Sequence, residues 1–185
     1  MISMKITADS ENPGTPTLQD SIRAVYHDLS QDIAVAGPVC DLSGRCCRFA
    51  EWDHTLFLSG IEAEMLLAEA PPACRPLDGG ATCPWQDGQG RCTAREARPL
   101  GCRVYFCDPS YQETGQALSE TYLSRLKSVA NAHDQPWSYA PLHQHLRAAV
   151  ERGQWRGPAQ MASEPSVAPA NEVARSARVA GRLTP

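Results

Sequence analysis

From Leu18 to Ile33 the apolar residues Leu18, Ile22, Val25, Tyr26, Leu29 and Ile33 recur every three or four positions, the period of a helix with one buried face. Residues 1–17 have no such period, carry Asn12-Pro13-Gly14-Thr15-Pro16, and read as a flexible leader. Arg48 to Leu58 reads as a strand. Ser59-Gly60-Ile61-Glu62 then matches a capping box and predicts a helix to about Ala70, stopped by Pro71-Pro72. Beyond Pro109, Leu118, Tyr122, Leu126 and Val129 mark one face of another helix. A further helix runs from about Pro141 to Glu151, and proline is well tolerated in a first helical turn. The last stretch, residues 156–185, is rich in Pro, Ala and Ser and reads as a disordered tail. Within it only Asn171 to Ala180 has the pattern of a short capped helix, carrying Arg175 and Arg178, and a solvated tail is the preferred reading.

Between Val39 and Pro109 the periods fade and Gly, Pro, Arg and Cys take over. A core fixed by metal bonds has this look, because the metal replaces hydrophobic contacts in holding short loops. The expectation is therefore one α+β domain over residues 18–155: a small, irregular, cysteine-rich and metal-bound core with a short β-hairpin, covered by helices.

Composition narrows the chemistry of those cysteines. The 185 residues suit one domain with a modest core. The first ten residues lack the basic start and apolar run of a signal peptide, so a cytoplasmic location is expected, where thiols stay reduced and a cysteine framework serves metal binding or catalysis. No apolar stretch approaches the roughly 18 residues of a membrane span. A formal charge of −4 speaks against a nucleic-acid partner, and a protein partner stays open.

Seven of the eight cysteines lie between Cys40 and Cys107, as Cys40…Cys46-Cys47, Cys83…Cys92 and Cys102…Cys107. Asp87-Gly88, midway between Cys83 and Cys92, is a hairpin signal. A two-residue loop at 87–88 or a four-residue loop at 86–89 puts Cys83 directly opposite Cys92, with Cβ atoms about 4.5–5.5 Å apart. That is close enough for two ligands of one tetrahedral zinc. Cys46 and Cys47 would point to opposite faces of a regular strand and can share a site only if the chain turns there, as Ser43-Gly44 allows. Cys40 is within reach of the same turn. Cys102 and Cys107 have a spacing wider than a C-x2-C knuckle but acceptable as a loop, and Cys74 stands outside any pairing and reads as a bystander.

The order Cys40-x5-Cys46-Cys47, then Cys83…Cys92, then Arg98-Pro99-Leu100-Gly101-Cys102-Arg103 resembles the YkgJ-like cysteine-cluster family, described as zinc- or iron-chelating domains. The resemblance covers about residues 38 to 109. Family members usually begin with C-x2-C-x2-C-C, and here Ser43 takes the second cysteine position, which implies that ligands are collected from distant segments. The resemblance also implies a link to relatives that carry this domain beside flagellin lysine methylation activity.

Charge leads to the same chemistry. Four thiolates around Zn²⁺ or an oxidised [4Fe–4S] core leave a net charge of about −2, which needs donors and cations nearby. Arg45, Arg48, Arg91, Arg95, Arg98 and Arg103 flank the cysteines. Arg98 and Arg103 bracket Cys102 inside the segment that carries the family resemblance, which makes them the expected cofactor-side arginines, whereas Arg91 and Arg95 read equally well as surface residues. His54 reads more readily as a half-buried imidazole than as a ligand. His143 and His145, two apart on a helix, point about 200° apart and do not share a metal. Asp53 and Glu62 are carboxylates near the cluster in sequence.

Three function classes follow. The first is a module that holds iron, an iron–sulfur cluster or zinc through Cys40, Cys46, Cys47, Cys83, Cys92, Cys102 and Cys107 in a structural, storage or delivery role, with iron or iron–sulfur preferred. The second is an iron–sulfur redox or protein-modifying enzyme, which needs a polar cleft beside the cluster. The third is a thiol switch in which Cys46-Cys47 or Cys83/Cys92 oxidises and ejects metal.

Overall fold

The computed structural model describes residues 16–158. Helix α1, Leu18–Ala36, starts at a capping box in which the Asp20 N–H donates to Thr17 Oγ1 at 3.1 Å and the Thr17 N–H donates back to Asp20 at 3.3 Å. It ends where Gly37 takes a left-handed φ of 61° and donates its N–H to Ile33. Thr17, the last residue assigned to the leader, is thus the cap of the first helix.

The predicted strand from Arg48 to Leu58 shrinks to β1, Phe57–Ser59. Arg48–Thr55 instead forms tight turns, with Trp52 N–H on Arg48 O, His54 N–H on Phe49 O and Asp53 at φ 46°, while Ala50 N–H reaches out to Ala81 O, so no strand ladder forms there. β1 pairs antiparallel with β2, Tyr139–Pro141, which the sequence pattern did not indicate; Phe57 faces Pro141, Leu58 faces Ala140 and Ser59 faces Tyr139. The capping box at Ser59 and Glu62 is present and opens α2, Gly60–Glu69, as expected. Leu100–Val104, expected as loop, is a short helix α3. α4, Gln112–Ala132, and α5, Leu142–Glu151, follow, the latter capped by Pro141. The protein is α+β, five helices with a two-stranded sheet among the described residues. No helix there is long and apolar enough to cross a membrane.

Apolar burial divides into two clusters. In one, Ile22, Val25 and Leu29 of α1 pack with Tyr122, Leu126 and Ala130 of α4, and with Ile61, Met65, Leu100 and Val104 from α2 and α3. The pairs Ser21 with His133, Asp28 with Arg125 and Asp32 with Tyr122 show α1 and α4 running antiparallel. In the other, Ala63 and Leu66 of α2 and Leu142 and Leu146 of α5 surround Cys47, Cys83, Phe49 and Trp85. The helices divide between the two: α1 and α4 build a core of their own, and α5 packs against the cysteines. α2 and α3 are the partition between the two.

The chain is also tied down past the predicted start of the tail. Arg156 donates to the carbonyls of Leu67, Ala68 and Ala70 at the end of α2, and its own carbonyl accepts the Ala73 N–H at 2.7 Å. The leader up to residue 15 and the segment Asn171 to Ala180 lie outside the described residues.

Candidate functional site

The first cysteine group sits on a 3-10 turn, Arg45–Cys47, entered through Gly44 at φ 70°. A Cβ on Gly44 would lie 2.4 Å from Gly90 O and 2.8 Å from Gln86 Nε2, so only glycine lets this turn press against the Asp87-Gly88 loop. Gln86, almost fully buried, donates from Nε2 to Gly44 O at 3.0 Å and to Gly90 O at 3.1 Å, clamping the two segments together. The turn resolves the problem of adjacent cysteines. Cys46 and Cys47 Sγ lie 4.0 Å apart rather than on opposite faces.

The hairpin signal at Asp87-Gly88 marks a real reversal with a different register. Asp87 N–H donates to Arg91 O, Thr93 N–H donates to Trp85 O, and a single bridge pairs Gln86 with Cys92. Cys83 is therefore not opposite Cys92. The five-residue loop from Asp87 to Arg91 is closed by Asp87 Oδ1, which accepts from Gln89 and Arg91 N–H groups, and that longer loop shifts the pairing. Cys83 reaches the site differently, through its N–H on Cys47 O at 2.8 Å.

Cys102 is delivered by α3, whose first N–H, at Leu100, donates to the buried Glu62 carboxylate at 2.7 Å. The same carboxylate accepts Tyr26 Oη at 2.7 Å, Ser59 N–H at 2.9 Å and Ser59 Oγ at 2.7 Å. Burial and the neighbouring Glu62 hold the Tyr26 hydroxyl well above its ordinary pKa, so it remains a donor.

Five thiols from four segments thus line one cavity. Cys47 is the hub: its Sγ lies 4.0 Å from that of Cys46, its carbonyl accepts the Cys83 N–H, and Cys92 and Cys102 line the same cavity. The neighbouring sulfurs, with burial added, push the Cys47 thiol far up, so it stays protonated and can donate its one S–H to Cys46. Its neighbours move the other way. The Cys47 hydrogen bond lowers Cys46 to about 7 against burial, with Arg98 assisting. The protonated Cys47 nearby, the Ala94 backbone, Arg98 and Arg95 lower Cys92 to about 6. Burial first, then the surrounding sulfurs, raise Cys102.

The group opens into a cavity of about 290 Å³. Cys40 and Cys107 also line it; Cys40 is exposed and Cys107 Sγ lies 3.7 Å from Ser43 Oγ. Arg91, Arg95 and Arg98 line the same cavity. Arg103 does not. Its guanidinium lies 4.1 Å from the centre of the Tyr26 ring and donates to Arg98 O at 2.6 Å and Glu96 O at 2.7 Å, strapping the segment before α3 rather than facing the sulfurs.

Other candidates fall outside. Cys74 is exposed and donates its thiol to Pro84 O and Gln86 O. His54 is half-buried, stacked on Tyr105 and edge-on to Phe49. His145 bonds Leu58 O, and His143 lines a different cavity. Gln86 and Glu62 are the residues that sequence reasoning undervalued; the capping box flagged Glu62 for its helix, and nothing local links it to Leu100.

All eight cysteines are free, and among the described residues no three His, Cys, Asp or Glu side chains stand as a ready-made metal-holding group. Comparison with protein-family models, curated proteins and solved structures returned no match.

Proposed function

We propose that this protein binds a thiophilic metal, as iron, an iron–sulfur cluster or zinc, through Cys46, Cys47, Cys83, Cys92 and Cys102, with Cys40 and Cys107 available in the same cavity, as a member of the YkgJ-like type working in the cytoplasm. The observation that carries the reading is the convergence of five unpaired thiols from four chain segments on one cavity. The donor set fits: soft thiolates select zinc, iron–sulfur clusters or copper(I) over hard cations. Arg98, beside three of the sulfurs, supplies positive charge against a thiolate-rich site of about −2. Metal bonds would also hold loops that otherwise rest on a few backbone hydrogen bonds. Loading would displace the Cys47 proton to solvent, leaving Cys46, Cys47, Cys83, Cys92 and Cys102 as the thiolates that would hold the metal.

One observation favours a second reading in which the site also reacts. The cavity that the thiols line is also lined by Arg91, Arg95 and Arg98, cationic side chains beside the place a metal or cluster would take. An iron–sulfur cluster bound there would supply redox or Lewis-acid chemistry, while the arginines would bind and orient an anionic group.

Anaerobic purification followed by iron, zinc and acid-labile sulfide analysis on one sample tests both. Stoichiometric metal supports binding, and sulfide with absorption near about 400 nm supports the cluster. Colourless protein with neither metal, after expression with iron and zinc supplied, overturns the proposal.

A further inference from the structure

Leu56 and Leu142 separate the thiol cavity from a second one of about 560 Å³, lining both, with the Leu142 N–H on Leu56 O at 2.8 Å. The second volume falls within the roughly 300–1,000 Å³ of small-molecule sites. Its rim is a fixed loop. Asp78 Oδ1 accepts the N–H groups of Gly80, Ala81 and Thr82 at 3.2, 2.9 and 3.1 Å, and the Ala50 N–H donates to Ala81 O at 3.0 Å. Gly79 and Gly80 have φ 75° and 98°, and a Cβ on Gly80 would stand 2.8 Å from His143 Nδ1, so the loop is moulded against α5.

The charges are the informative part. Asp78 and Arg147, both solvent-exposed, line this cavity as its acid and its guanidinium and form no ion pair with each other, so both charges remain open to a ligand from solvent. Phe49, Leu56, Leu77 and Leu146 supply apolar lining between polar groups. A simple organic anion would meet Asp78 and a simple amine would meet Arg147; a ligand with both charges and an apolar body satisfies each.

We propose that this cavity binds a zwitterionic α-amino acid with a large apolar side chain, its ammonium on Asp78 Oδ2, its carboxylate on Arg147 and its side chain against Phe49 and Leu146. The site is independent of the metal reading.

Isothermal titration of the full chain with L-phenylalanine, phenethylamine and 3-phenylpropionate tests it. The expected result is saturable one-site binding of L-phenylalanine, with each single-charge analogue weaker by about tenfold or more. Arg147→Gln and Asp78→Asn should weaken L-phenylalanine by a similar factor; the asparagine keeps the oxygen that closes the loop, and the thermal melt should be unchanged. Absence of saturable binding of L-phenylalanine and L-leucine, analogues that bind as well as the amino acid, or variants that bind like the parent would each overturn the proposal. Metal content measured on the same samples separates this outcome from that of the thiol site.

Discussion

Glu62 Oε1 accepts the backbone N–H of Leu100 at 2.7 Å across 38 residues of sequence. One carboxylate, 2 % exposed, closes the α2 capping box, holds Tyr26 of α1 and anchors the helix that carries Cys102. Its four hydrogen bonds come from three separate parts of the chain, so it joins both apolar clusters to the thiol site.

Glu62→Gln should therefore destabilise the protein well beyond an ordinary capping loss. The amide can accept at one end only and turns N–H donors toward either Ser59 or the Tyr26 and Leu100 donors. A buried donor left unpaired costs about 1–3 kcal/mol. Urea unfolding of parent and variant measures it, and a difference below the scatter of a surface control would contradict the role.

Gly44 makes a second test, paired with Gly37. Both have left-handed φ, 70° and 61°, but nothing lies within 4 Å of a Cβ on Gly37. Gly37→Ala should cost about 1–2 kcal/mol, the left-handed penalty alone. Gly44→Ala adds the collision with Gly90 O, and should cost more and lower bound metal by separating the Cys46–Cys47 turn from the Asp87 loop. Equal losses in the two variants would show that the close approach is unimportant.

Hub and bystander thiols should separate cleanly. Cys47→Ser, Cys83→Ser and Cys102→Ser should each reduce metal stoichiometry and thermal stability, and Cys74→Ser neither, because its thiol only donates to two carbonyls. Metal analysis with thermal melts on the purified set decides, and parental metal content in Cys102→Ser would remove α3 from the site.

In the reduced, metal-stripped protein, alkylation should report the uneven thiols. Cys46 and Cys92, lowered to about 7 and about 6, are substantially thiolate at neutral pH, whereas Cys47 and Cys102 are raised and protonated. The lowered groups lose reactivity as pH falls through their folded values, so iodoacetamide labelling of Cys46 and Cys92 should drop between about pH 7.5 and 5.5. Cys47→Ala removes the donor and should shift that drop to higher pH. Peptide mass spectrometry over a pH series gives the profile.

Helices with a repeating apolar face were legible because their information is local. The Leu18 series, the Ser59–Glu62 box and the Leu118–Val129 face each specify an element through residues three or four apart, and the first and last match α1 and α4. The cysteine order likewise marked the right region of chain, and all seven cysteines line one cavity. Distance in sequence hid the rest. The hairpin register depended on Asp87 closing a five-residue loop, β1 found its partner some eighty positions away at Tyr139–Pro141, and Arg103 turned from the sulfurs to Tyr26. Which thiol became the hub was set by Gly44 fitting under Gly90 and by Glu62 holding Leu100. Those are contacts between segments, governed by packing and by the need to pair buried polar groups, and no period or spacing within one segment encodes them.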